Sequence, residues 1–286
     1  MIEKTMRIKV HFMTLAALLS GIAAHAAQQE ADSWLSLVPG MELRWILINN
    51  HPPAGDSRIL VVRIDPVMWK LEYVGLGTTM DSTIKTAREW AKAHGLTAAI
   101  NAGMFNTDYR TPVGYVEFQG RIVSKKINRY QSIAAFDPRD PHNGPFFRIF
   151  DLDSDGVTIE SIRREFTSLV QNLRLVKRPR ENRWGQQDKI WSEAALGEDK
   201  DGNILFVFCR FPFSMHDLNR ELLSAEIGLV ALQHLEGGPQ AQLFLNAGKV
   251  ELEMFGSHGT SFSDEEETAT RWPIPNVLGI KRRVDK

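Results

Sequence analysis

The chain has 286 residues, 43% hydrophobic and 24% charged, with a formal net charge of −1. That length supports one large core or two modest ones, and the balanced charge lacks the basic excess that holds a polyanion, so no nucleic-acid partner is expected. A single cysteine, Cys209, excludes an internal disulfide, and packing alone must hold the fold.

The first predicted element stands outside the fold. Lys4, Arg7 and Lys9 form a basic start, residues 10–24 an apolar stretch too short to span a bilayer comfortably, and Ala24–Ala26 (AHA) a small-x-small cleavage site. The pattern predicts a secretory signal over residues 1–26 and a periplasmic or secreted protein. No later apolar run reaches membrane length, so no integral membrane segment is expected in the mature chain.

Residues 27–40 read as a short lead-in and 41–286 as one domain. Met41–Ile48 alternates like a strand, and His51–Ser57 is rich in turn residues. Arg58–Asp65 and Trp69–Leu76 read as paired strands around Pro66–Met68. A helix follows from an N-cap at Asp81 or Ser82 to a stop at Gly95, with Ile84, Ala87, Trp90 and Ala91 at helical spacing. A strand over Leu96–Ile100 runs into Asn101, and Thr111–Val123 reads as a hairpin turning at Gln119–Gly120. Gln131–Pro138 and Pro145–Leu152 are further strands. Between Asp151 and Trp191 the pattern weakens to a short helix near Ile159–Arg164 and a polar, basic loop. Asn203–Phe211 is a buried strand, where Cys209 reads as a small core hydrophobe. A helix runs from Ser214 to Gly228. Leu229–Leu235 and Gln242–Gly248 are strands joined by a turn over Glu236–Gln240, and the polar tail from Asn246 ends in a strand near Asn276–Arg283. Strands dominate, which predicts an α+β single domain on a mixed, strand-rich sheet with a few flanking helices.

Most chemical motifs are missing. The glycines near Gly75 make no phosphate loop, and there is no G-x-S-x-G. The histidines beyond residue 26 (His51, His94, His142, His216, His234, His258) show no i,i+4 pair and no cluster with cysteine. No metal site is signalled and no cofactor is predicted; a metal requirement stays open. Two stretches remain, NAGMFN (Asn101–Asn106) and LEGGPQA (Leu235–Ala241). In each, a buried-pattern strand runs into a polar residue and a glycine-bearing turn. Such a side chain is held rigidly yet faces solvent, which suits an acid, base or nucleophile, while the same residues are also ordinary turn formers.

Four segments in order, AAINAGMF…TPVGYVEFQGRI, VQNLRLV, AALGEDKDGNILFVF and HLEGGPQAQLFL, resemble the phosphodiester glycosidase family over about Ile59–Gly279. Asn101, Gly103 and Phe105 match its Asn-Gly-Gly-Phe-Phe motif, with Ala102 replacing a glycine. Gly114 matches a following glycine, Gln171 the glutamine of the middle segment, and Glu236, Gly237 and Gly238 its Asp-Gly-Gly. Glu236 is one methylene longer than the usual aspartate, Pro239 and Gln240 replace the common Gly and Ser, and Glu193–Ala194 stand where Arg-Thr is usual.

The resemblance implies a glycan or other carbohydrate phosphodiester as substrate. The departing phosphate monoester is a weak base, so the demands are oxocarbenium character at C1 and charge neutralisation at phosphate. Glu236 is the expected carboxylate, and His234, two residues earlier, is expected on the same strand face, either as an assisting acid or as an oriented core histidine. Arg174 and Arg210 (with Lys177 another cation nearby) are candidates at the phosphate, Asn101 and Gln171 at the sugar hydroxyls, and Gly103, Gly237 and Gly238 for close backbone approach. The departures at Glu236 and Glu193 favour an alternative: a non-catalytic, envelope- or exopolysaccharide-associated glycan-binding protein of the same fold.

Overall fold

The structure is a computed structural model that describes residues 33–48, 58–257 and 271–283; the predicted signal lies outside them. Two sheets face each other. The larger runs β1 (Leu35–Val38), β2 (Met41–Leu47), β3 (Arg58–Ile64), β13 (Ile204–Phe213), β12 (Trp191–Asp199), β14 (Leu229–Gly237), β10 (Phe166–Lys177), β6 (Val116–Phe118) and β7 (Arg121–Ser124). β8 (Ser132–Pro138) joins it through β10 and carries β9 (Phe147–Asp151), and β11 (Glu181–Asn182) also pairs with β10. The smaller runs β16 (Val250–Phe255), β15 (Gln242–Ala247), β5 (Ala98–Asn101), β17 (Asn276–Arg282) and β4 (Trp69–Gly75).

The main core fills the space between the sheets. Leu60, Val62, Phe206 and Phe208 from the larger meet Leu71, Ile100, Leu243 and Leu278 from the smaller, alternate residues of each strand pointing inward. The outer face of the larger sheet packs under α3 (Met215–Ser224) through Leu218 and Leu222. The outer face of the smaller packs under α1 (Ala87–His94) through Trp90 and Ala91. A third helix, α2 (Ile159–Glu165), packs beside β8 and β10.

The α+β, strand-rich single domain holds. The sheet is not mixed, however: among the described residues every strand pairing is antiparallel. Each long helical connection skips one place, and an antiparallel strand fills the gap. β17 lies between β4 and β5, and β12 between β13 and β14.

Other local expectations shift. β3 and β4 do not pair; the turn in which Met68 and Trp69 donate to the Asp65 carbonyl carries the chain from one sheet to the other. The same is true of β14 and β15. α1 starts at a Thr86–Glu89 capping box rather than at Asp81 or Ser82, because Asp81 is engaged by Lys85 and His94. α3 begins on Ser214 as expected but stops at Ser224, before Gly228. The lead-in contains β1, and the polar tail contains β16. The 12-residue β10 and the strand β12 replace much of the supposed irregular region and its flank.

Candidate functional site

The two glycine-bearing stretches meet where β14 leaves the larger sheet. After Gly237 the chain makes a short 3₁₀ turn, Gly238–Gln240, and enters β15 beside β5. Asn101 ends β5 and clasps that turn: its Nδ2 donates to the Gln240 carbonyl at 2.9 Å, and its Oδ1 accepts from the Gln242 amide at 2.6 Å. Asn172 of β10 ties in the other side, its Nδ2 donating to the Ala102 carbonyl at 3.1 Å. Gly103 has φ +147°, and a Cβ there would collide with Asn172 Oδ1, so the position demands glycine.

Gln171, next to Asn172, spends its whole amide on main chain. Oε1 accepts from the Tyr115 and Asn128 amides at 3.2 and 3.3 Å, and Nε2 donates to the Asn128 and Tyr130 carbonyls at 3.2 and 2.7 Å. Asn101 and Gln171 are buried. The hydrogen bonds of both amides described above go to main chain, and they frame the site.

The ionisable centre is Glu236 with His234 and Glu193. Glu236 is 9% exposed, His234 6% and Glu193 fully buried. His234 Nδ1 lies 2.6 Å from Glu193 Oε1 on the neighbouring strand, and Trp191 Nε1 donates to Glu193 Oε2 at 3.1 Å. In the sequence Glu193 stood out only as a departure from Arg-Thr; its pairing with His234 was not foreseen, though an acid inside the apolar run of β12 was the available signal. Between β12 and β14, Ala194 faces Glu236 and Ala195 faces His234. Leu235 is thus an extra residue, and the bulge breaks the simple alternation expected of 234 and 236. The two groups still feel each other's charge.

Burial pushes the Glu236 carboxyl up to about 7, against the pull of His234 and of the Gly237 amide, which donates to Oε1 at 3.1 Å. Burial alone would lower the His234 imidazole, but Glu193, and beyond it Glu236, carry it upward overall. Burial likewise raises Glu193. The proton between His234 and Glu193 is therefore held more tightly than an exposed imidazole would hold it. Burial and the Glu236 charge together raise the Tyr130 phenol, which places this ring in the same electrostatic neighbourhood.

The glycines of the turn differ in their demands. A Cβ on Gly237 would stand 2.6 Å from the Trp191 indole, so glycine there lets the ring close over Glu193; Gly238 has φ +63° with open space around it. Tyr109 accepts at its hydroxyl from Gln240 Nε2 at 3.2 Å, closing the far side of the turn.

The expected cations divide. Arg174 is bound to Asp151 at 3.2 Å and to Asp153 at 2.6 Å, and Lys177 shares Asp153 at 3.0 Å, so these charges have carboxylate partners within the fold. Arg210 is on β13, its carbonyl accepting from Ser192 Oγ at 2.6 Å. Among the described residues no group of three or more His, Cys, Asp or Glu is placed to hold a metal ion, and no helix is long and apolar enough to cross a membrane.

Fold and site together define a two-sheet α+β protein whose strand end presents a buried carboxylate–imidazole centre. The phosphodiester glycosidase family model matches residues 94–281, and the chain belongs to that family. In fold it is similar to the zebrafish N-acetylglucosamine-1-phosphodiester alpha-N-acetylglucosaminidase catalytic domain auto-inhibited by pro-peptide, with TM-score 0.63, 16% identity, and 88% of this chain and 87% of that chain covered. It is also similar to a hypothetical protein from Synechocystis, with TM-score 0.59, 15% identity, and 88% and 64% covered. No curated protein sequence matches it.

Proposed function

We propose that the chain is an exported hydrolase that cleaves the glycosidic bond of a sugar 1-phosphodiester, with Glu236 as the acting carboxylate. The observation that carries this reading is Glu236 itself: an acid at a strand end, pushed up to about 7 and set beside an imidazole, in a chain of this family. A carboxyl so tuned is ionised in a useful fraction at neutral pH and remains basic enough to take a proton from water. Family membership and the fold shared with a domain named for a sugar phosphodiester support the substrate class. Export rests on the basic start, apolar stretch and AHA site of residues 1–26, and N-terminal sequencing of exported material is expected to begin at Ala27.

The test is release of free sugar from a panel of sugar 1-phosphodiesters, with the phosphate monoester read by an added monoesterase. Glu236→Gln keeps size and hydrogen bonding but removes the base, so kcat should fall by roughly 10²–10⁴ with binding largely kept. Calorimetric binding of the phosphodiester without turnover by the wild-type protein would sink the hydrolase and support the glycan-binding alternative.

A further inference from the structure

We propose that Glu193 is a positioning residue of this site: it grips the Nδ1–H edge of His234, fixes one ring orientation, and holds the ring as an imidazolium whose Nε2–H delivers a proton to the departing phosphate oxygen. The inference rests on the hydrolase reading for its last step, but its first part concerns the resting protein alone.

Three observations converge on it. Glu193 lies across from Gly237 in the β12–β14 register, fully buried, with Oε1 2.6 Å from His234 Nδ1. Its second oxygen is held by Trp191 Nε1, so the carboxylate cannot swing away. Trp191 in turn packs against Gly237, the residue after Glu236, in space that a Cβ would fill. One chain of contacts thus runs from Glu193 through Trp191 to the turn under the acting carboxylate. A buried acid–imidazole pair is also a poor way to stabilise a sheet, because desolvation offsets its attraction. Used to orient an imidazole, the same pair has a chemical purpose.

The charged and titratable groups facing His234 are Glu193 from β12 and Glu236 on its own strand, with Tyr130 near Glu236 from the segment before β8. The residue opposite it on β10 is the apolar Leu173. In the reaction the C1–O bond breaks and its electron pair leaves with the phosphate oxygen, which takes the Nε2 proton. Water supplies hydroxide to C1 and its remaining proton to Glu236. Proton transfer from Glu236 back to His234 restores the start.

The experiment is a nitrogen-15 NMR titration of His234 in the resting full-length protein, paired with the pH dependence of kcat, for wild type and Glu193→Gln. The wild-type ring should titrate above the ordinary imidazole range, and the neutral form it gives should keep its remaining proton on Nδ1. In Glu193→Gln the titration should move down by about one pH unit or more. The alkaline limb of kcat should move with it, and kcat should fall by roughly 10²-fold with KM little changed. Glu193→Asp should restore part of the loss. If Glu193→Gln does not fold, Trp191→Phe removes the N–H on Oε2 together with part of the ring beside Gly237, and by loosening Glu193 should give a smaller shift in the same direction. An unmoved His234 titration, even with a lowered melting temperature, overturns the proposal. If no phosphodiester is turned over, the hydrolase reading and the proton delivery fail together, while the titration still decides whether Glu193 sets the state of His234.

Discussion

Two sets of polar side chains share the region where β14 leaves the larger sheet, and they behave in opposite ways. Asn101, Gln171 and Asn172 are neutral amides whose hydrogen bonds go to main chain. Burial costs such groups little where main-chain bonds replace those lost to water, as they do throughout the Gln171 amide. Glu193, His234 and Glu236 are ionisable and also buried, and burial is the largest influence on all three. The amides stiffen the turn, while the ionisable set sits on it at a cost in stability. That division predicts where a substitution will be felt, as stability or as chemistry.

The sharpest way to break the comparison is Gln171→Glu. The glutamine donates to the Asn128 and Tyr130 carbonyls. Glutamate would set a carboxylate oxygen against both and bury a charge without a counter-ion. The expected loss is about 3–5 kcal/mol of unfolding free energy, read by chemical denaturation. A loss below about 1 kcal/mol would mean that the amide framework is not what holds the site.

Glu236→Gln should do the reverse for stability. The carboxyl titrates near 7 in the folded protein, well above an ordinary glutamate. Below the ordinary value both folded and unfolded forms are protonated and the shift has no effect. As pH rises toward 7 the unfolded chain ionises while the folded one keeps its proton, so stability falls across that window and levels off above it. Glutamine removes the dependence. The variant should gain up to about 2–3 kcal/mol over wild type at pH 8 and nearly nothing at pH 4. An equal difference at both pH values would show that burial does not tune Glu236.

Much of this contrast was legible in the sequence at its ends and hidden in its middle. Asn101 and Glu236 stand out because each closes an apolar strand just before a glycine turn. The Gln119–Gly120 hairpin, with positive φ at both turn residues, and the Ser214 cap are local signals of the same kind. β10 and β12 were obscured because their buried positions include Gln171, Asn172, Glu193 and Glu198. These residues break apolar alternation, and their partners are distant in sequence: His234 lies 41 residues from Glu193. Nor does a turn sequence say whether its strands pair, so the two-sheet division at Asp65–Trp69 and at Gly238–Gln240 was out of reach. Arg174 shows the same limit in reverse. A cation in a basic stretch looks available until Asp151 and Asp153 are found beside it.

Arg174→Gln gives the smallest effect and marks the edge of the site. The arginine is largely buried, and Asp151, buried as well, keeps only the Arg178 amide when the guanidinium is gone. Asp153 retains Lys177 and reaches solvent, which limits the damage. The expected loss is about 1–2 kcal/mol in stability, less than for a fully buried pair because part of the cluster is screened by water. Turnover on a sugar phosphodiester should stay within about twofold of wild type well below the melting temperature, since the guanidinium is already neutralised by two carboxylates. The opposite pattern, a KM raised by more than about tenfold with stability unchanged, would mean that Arg174 leaves its acids for the substrate phosphate. It would then belong with His234 and Glu236, and the line between frame and chemistry would have to be redrawn to include β10.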